Sequence, residues 1–118
     1  MKATKLSEVS AYNPPSHHGT VSLKLQGEAE TGITKFWQGL SYFLPNGGAD
    51  WQYDEGMPAA EFEKTYFVVS GELVVIDGDE KEYVIKQGDS IAFLPNEGRR
   101  LENRTNETAS ALVTFSTC

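Results

Sequence analysis

The stretch Tyr66-Phe67-Val68-Val69-Ser70-Gly71-Glu72-Leu73-Val74-Val75-Ile76-Asp77-Gly78 decides the fold class of this chain. Two short runs of β-branched and aromatic residues, Tyr66–Ser70 and Glu72–Ile76, meet at one glycine. Neither is long enough to hold a helix, and both suit a pleated, half-buried strand. Asp77-Gly78 then supplies a hairpin turn into a third run, Glu82–Lys86.

The same grammar continues toward the C-terminus. Gly88-Asp89 turns the chain into Ser90–Leu94, and Pro95-Asn96-Glu97-Gly98 stops it. Arg100–Asn103 and Ala109–Phe115 follow, with a turn between them. Toward the N-terminus, Phe36–Leu44 is rich in aromatics and is expected to end at Pro45-Asn46-Gly47-Gly48. Val21–Leu25 alternates apolar and polar residues with a period of two. Residues 49–62 have no clean period and read as a long loop holding one short strand. Residues 1–20, broken by Asn13-Pro14-Pro15, read as an extended arm ahead of a barrel domain over 21–118. No segment of helical length carries an apolar stripe. So many strands in 118 residues predict a single-domain, all-β antiparallel sandwich or barrel, whose closure hides sheet edges.

Composition narrows the function classes. Ten basic against seventeen acidic residues give a net charge of −7, which repels phosphate backbones and anionic lipid. Nucleic acid and membranes are therefore not expected as partners. No apolar run approaches the roughly 20 residues of a spanning helix, and Met1–Glu8 has no apolar export signal, so the expected location is cytoplasmic. The one cysteine, Cys118, permits no internal disulfide.

Tyr66–Leu73 and the block Gly88-Asp89-Ser90-Ile91-Ala92-Phe93-Leu94-Pro95, followed by a basic residue and Asn103, resemble the two ordered motifs of the cupins. The resemblance covers roughly residues 36–115 and implies a double-stranded β-helix, or jelly-roll, barrel. Metal-binding cupins take two His and a Glu from the first motif and a third His from the second. This sequence departs from that set. Counting from Gly71, Lys64 stands at the glutamate position, with Ala60 and Pro58 at the two histidine positions. Counting from Gly48, the latter fall on Asp54 and Gly56. The third histidine position falls on Arg99 counted from Asn103, or on Arg100 counted from Pro95. A cation at the glutamate position repels a divalent metal, so no metal cofactor is expected.

The expected site is instead an anion pocket. Lys64 and one of Arg99 and Arg100 would face it, since an Arg fork holds a carboxylate through two parallel hydrogen bonds. Trp51, Tyr53 and Tyr66 would be walls suited to a ring-bearing ligand, and Glu102 a polar neighbour. A structural alternative pairs the cations with Asp54, Glu61, Glu63 and Glu102 as internal ion pairs. A further alternative is a divalent-metal enzyme with unusual ligands drawn from His17, His18, Asp54, Glu61 and Glu63. His17 and His18 are adjacent in a predicted extended segment, so they point to opposite faces.

The functional expectation is a cupin that binds a small acidic or ring-bearing metabolite, with or without a metal-independent lyase or isomerase activity. A ligand-sensing or structural cupin is the remaining alternative, and the sequence does not decide whether catalysis occurs. The resemblance, and the need to cover sheet edges, imply a homodimer.

Overall fold

The structure is a computed structural model that describes residues 1–118. Nine strands and one helical turn form a single antiparallel sheet system. The strands are β1 (Ala11–Tyr12), β2 (His17–Gln26), β3 (Phe36–Gln52), β4 (Lys64–Ser70), β5 (Glu72–Ile76), β6 (Glu82–Lys86), β7 (Ser90–Phe93), β8 (Arg99–Glu102) and β9 (Ala109–Ser116). The turn α1 (Glu28–Thr31) lies between β2 and β3 and ends at Gly32, whose φ of 84° only glycine adopts freely. Strand order is β6-β5-β8-β3-β9-β4-β7, with β2 on β3 and β1 on β2. The sheet curls until β6 approaches β4, which nearly closes the barrel.

The long strand β3 makes this possible. Its first half, Phe36–Phe43, pairs residue by residue with Ser116–Ala109 of β9, and its second half pairs with β8 through Gly48, Ala49 and Gln52. Pro45-Asn46-Gly47-Gly48 therefore does not end the strand, as the sequence leads one to expect. It bends the strand from one wall of the barrel into the other. Asn46 takes a left-handed φ of 66° there. A Cβ on Gly47 would collide with the Gly19 carbonyl, and one on Gly48 with the Leu101 carbonyl. The glycines are present because neighbouring backbones come that close.

The extended arm is shorter than its composition implies. β2 begins at His17 and pairs with β3 from the outset, His17 with Ala49 and His18 with Gly48, so the sheet already includes residues placed in the arm. Ser16, with φ of 62°, turns the chain just after the two prolines and lets β1 fold back on β2. The loop expected at 49–62 is in fact the end of β3 followed by an irregular segment over 53–63.

Alternation along the strands sets what the barrel contains. β4 turns Lys64, Tyr66 and Val68 inward, and β9 turns Ala109, Ala111, Val113 and Phe115 inward. Their register pairs Val68 with Ala111, Tyr66 with Val113 and Lys64 with Phe115. On the opposite wall Leu101 faces Ala49 and Val75, while Arg99 faces Gln52. One end is thus an apolar core of Phe43, Val68, Leu73, Val75, Leu101 and Ala111. The other end carries polar side chains.

Asn103 shows how the core end meets its polar demands. It is 1% exposed, yet its amide donates to the Phe43 and Glu107 carbonyls at 2.9 and 2.8 Å, and its Oδ1 accepts from Thr105 N and Oγ1. Gly48→Ala is expected to force β3 and β8 apart. Chemical denaturation should record a loss of about 1–3 kcal/mol or more, the cost of overpacking a site that cannot yield.

Candidate functional site

The polar end of the barrel is built around Lys64 and Arg99, which are 2% and 1% exposed. Each is the first residue of its strand, and each points inward because the apolar alternation of that strand leaves it no other face. Neither has a carboxylate within ion-pairing distance. The internal ion pairs considered from the sequence do not form, because Glu61 and Glu63 are exposed and Glu102 faces outward.

The two cations are held differently. Lys64 Nζ donates to the Ala59 and Phe62 carbonyls at 2.8 and 2.7 Å and lies 4.4 Å from the Tyr53 ring centre and 4.6 Å from that of Phe115. It pins the 53–63 segment to the barrel. Arg99 rests chiefly on ring faces, its Cζ 3.9 Å from the Phe93 centroid, 4.3 Å from Tyr53 and 5.9 Å from Tyr66, with the Tyr66 hydroxyl beside it. Ring quadrupoles attract a guanidinium but accept none of its hydrogen bonds in its plane. Nε, Nη1 and Nη2 of Arg99 are all buried without a partner. So are both amide atoms of Gln52, the residue paired with Arg99 across β3 and β8.

Electrostatics follow from this burial. Desolvation, then the Arg99 charge, pull the Lys64 pKa from 10.5 down to about 8. Burial pushes the Tyr53 hydroxyl up to about 12. The Arg99 pKa is lowered by burial and partly restored by the Tyr66 hydroxyl, but a guanidinium keeps its charge.

Two cavities flank this centre, the first lined by Arg99 itself and the second by the Tyr53 and Phe115 rings that hold Lys64. One, of about 570 Å³, opens on the flank between the β5–β6 hairpin and the 94–98 loop. Arg99, Phe93 and Val75 are among its lining, with Trp51 and Tyr83 as aromatic walls. Asp54, Asp77, Asp79 and Glu97 rim it. The other, of about 350 Å³, opens at the barrel end, walled by Tyr53, Phe115, Phe62 and Trp37 and overhung by Tyr12 and Pro14 of the arm.

Among the residues named from the sequence, Lys64, Arg99, Tyr53 and Tyr66 converge, and Trp51 walls the flank cavity. Arg100 and Glu102 do not join them. Arg100 forms a two-pronged pair with Glu80 at 2.9 Å on the outer surface, and Glu102 accepts from Arg104 at 2.6 Å. With Arg99 fixed inward, alternation sends its neighbour outward. His17 and His18 do split between faces. His17 packs 6.2 Å from Phe43 with Nδ1 against the Pro15 carbonyl, whereas His18 faces Asp50 at 3.8 Å. Gln52, Phe93 and Phe115 were not singled out. Gln52 lay in a stretch without periodicity, and the two phenylalanines read as ordinary core.

No three His, Cys, Asp or Glu side chains come together in a group that could hold a metal ion. The groups that meet at the polar end, an ammonium and a guanidinium, form a donor set that does not fit a divalent cation. The reacting or recognising groups on offer are hydrogen-bond donors with positive charge, set among aromatic rings.

A nearly closed antiparallel barrel with a polar interior at one end defines the class. The chain belongs to the cupin family, whose cupin-domain model matches residues 43–115. It is 39% identical over 118 residues to the beta-D-galactosidase Rv1717 of Mycobacterium tuberculosis, covering 98% of this chain and 94% of that one. The polyketide cyclase RemF of Streptomyces resistomycificus superposes with a TM-score of 0.82 at 20% identity, over 98% of this chain and 79% of that one. A predicted oxalate decarboxylase of Thermotoga maritima gives 0.77 at 18%, over 98% of each. At these identities the two structures speak for the fold alone.

Two predictions separate the cations. Arg99→Met replaces an unpartnered buried charge by an apolar chain and should raise the unfolding free energy by about 1–4 kcal/mol. Lys64→Ala strands two carbonyls and should lower it by about 1–3 kcal/mol; urea titrations of both variants give the signs. Lys64 also sets a pH dependence. Between pH 8 and 10.5 the unfolded chain keeps a proton on this amine that the folded chain has lost, so stability rises with pH there. Tyr12 and Tyr53, raised to about 12 from 10.0, act with the opposite sign above pH 10. Wild type should therefore gain stability relative to Lys64→Met from pH 8 to 10, read by denaturant melts across that window.

Proposed function

We propose that this cupin binds a small, oxygen-rich ligand at the Lys64–Arg99 end of its barrel, with an oxyanion or carbonyl seated on the Arg99 guanidinium. The observation that carries this reading is the set of unpartnered nitrogens of Arg99, 1% exposed and lining a cavity of ligand size. A buried guanidinium with no acceptor is costly, and a carboxylate supplies a matching pair of acceptors. Aromatic walls on both openings favour a ligand with a ring or an apolar face. The cationic centre suits stabilisation of an enolate or carboxylate, which is the chemistry a metal-independent lyase or isomerase requires. Thermal melts with six-carbon carboxylic acids test the reading. A rise of several degrees in wild type that disappears in Arg99→Met supports it, and no rise with any acid removes it.

A second reading follows from the relative named as a beta-D-galactosidase, which matches this chain over nearly its whole length. Glycoside hydrolysis in most enzymes needs two carboxyl groups flanking the scissile bond. The barrel interior has none, but Asp54 and Glu97 stand together at the flank cavity, where Gly98 packs against Asp54. In this reading a galactoside ring lies against Trp51 with those carboxyls at its glycosidic oxygen. Release of nitrophenol from a nitrophenyl β-D-galactoside, lost in both Asp54→Asn and Glu97→Gln, would establish it over the first. Hydrolysis indifferent to both changes would exclude this arrangement.

A further inference from the structure

The flank cavity carries charges of both signs, arranged by depth. Its innermost charge is Arg99, 1% exposed, with all three guanidinium nitrogens lacking a hydrogen-bond partner. Four carboxylates rim it, Asp79 and Glu97 exposed, Asp54 and Asp77 half-buried. Val75, Ile91 and Phe93, with the Trp51 and Tyr83 rings, supply the apolar part of the lining. The carboxylates are held by neutral donors only. Asp54 accepts from Trp51 Nε1 and Glu55 N, Asp77 from the Asp79 and Lys81 amides and the Tyr83 hydroxyl, and Glu97 from Leu94 N. None of the four forms an ion pair. Lys81, the one basic residue of the hairpin tip, sets its ammonium 4.9 Å from the Tyr83 ring centre instead.

The charge balance decides between ligand classes. Four carboxylates against one guanidinium leave the lining strongly negative, in a chain of net charge −7. A simple anion bound for Arg99 must pass a rim that repels it. A simple cation suits the rim but leaves Arg99 unanswered, and the rim acids form no group that could hold a metal ion. A neutral hydroxylated molecule gains no charge–charge attraction at either end. A molecule with a carboxylate at one end and an ammonium at the other is favoured at both. The guanidinium takes the carboxylate through two parallel hydrogen bonds, and the ammonium makes charge-assisted bonds to the rim. The apolar lining suits a body of carbon between the two charges. That is the form of an ω-amino acid, whereas an α-amino acid carries both charges at one carbon.

We infer that the flank cavity binds an ω-amino carboxylate, its carboxylate buried on Arg99 and its ammonium at the rim among Asp54, Asp79 and Glu97. This rests on the reading of the Arg99 site given above and adds the second, opposite charge and its separation from the first.

Calorimetric titration of the whole chain at low salt with hexanoate, 6-hydroxyhexanoate, 6-aminohexanoate, hexylamine and norleucine tests it. The ω-amino acid should bind at least tenfold more tightly than each of the other four, and Arg99→Met should abolish its binding. A double variant, Asp79→Asn with Glu97→Gln, changes two exposed side chains to isosteric amides. It should cut the preference over hexanoate at least threefold. Equal binding of hexanoate, or of 6-hydroxyhexanoate, and the ω-amino acid by wild type overturns the assignment of an ammonium while the Arg99 site stands. Hexylamine bound as tightly as the ω-amino acid overturns it too, since the rim then takes a cation without help from Arg99. Norleucine bound as tightly overturns the separation of the charges. A full preference in the folded double variant removes those carboxylates from the recognition. Absence of binding by every carboxylate, or binding that persists unchanged in Arg99→Met, overturns this inference together with the reading beneath it.

Discussion

Two positive charges enclosed at one end of a small barrel, with no negative charge beside them, are the constraint around which this structure is organised. A lysine and an arginine at 2% and 1% exposure are costly to desolvate. The chain offsets the first with two backbone carbonyls and two rings, and the second with ring faces and the nearby Tyr66 hydroxyl. Tyr53 serves both, lying 4.4 Å from Lys64 Nζ and 4.3 Å from Arg99 Cζ. Its left-handed φ of 60° is what turns the chain out of β3 and swings that ring between the cations.

The scaffold requirements follow from that end backward. Arg99 can face Gln52 only if β3 passes from the β9 wall to the β8 wall, and it can do so only where bare glycine backbone lets β2 and β8 approach it. The apolar end, with Phe43, Leu73 and Leu101 fully buried, supplies the stability that the polar end spends. Asn103, whose side chain ties the turn after β8 to Phe43, holds β8 in register from its far end. Core and site thus share strands and divide them by position: the same alternation that buries Val68 and Leu101 buries Lys64 and Arg99 further along.

That shared alternation explains what was legible in the sequence. The strands from Tyr66 onward carry a period of two and strong turns, and they fold where that pattern places them. Lys64 and Arg99 are legible from their spacing to Gly71 and Asn103, and the structure turns both side chains inward. Spacing alone does not separate Arg99 from Arg100, because the two are adjacent and a one-residue shift reverses the face. Pro45–Gly48 continues β3 against the sequence expectation because glycine serves both to end a strand and to let another backbone approach it, and only the neighbour decides which. Gln52 was invisible for a different reason. Its importance lies in being opposite Arg99, a pairing between residues 47 apart in the chain, and nothing local in Trp51-Gln52-Tyr53 announces it.

An arginine that formed an internal ion pair would have to give it up before taking a ligand, and the ligand would gain only the difference. Here Asp54 and Glu97 at the flank cavity accept from Trp51 Nε1, Glu55 N and Leu94 N, and neither forms an ion pair with Arg99. The cost of stripping water from the guanidinium is therefore met during folding, and a bound oxyanion collects the full interaction in a low-dielectric, preorganised setting. The acidic exterior works in the same direction. A chain of net charge −7 attracts few anions indiscriminately, so on the proposed reading anion binding depends on the local geometry at Arg99 rather than on long-range attraction.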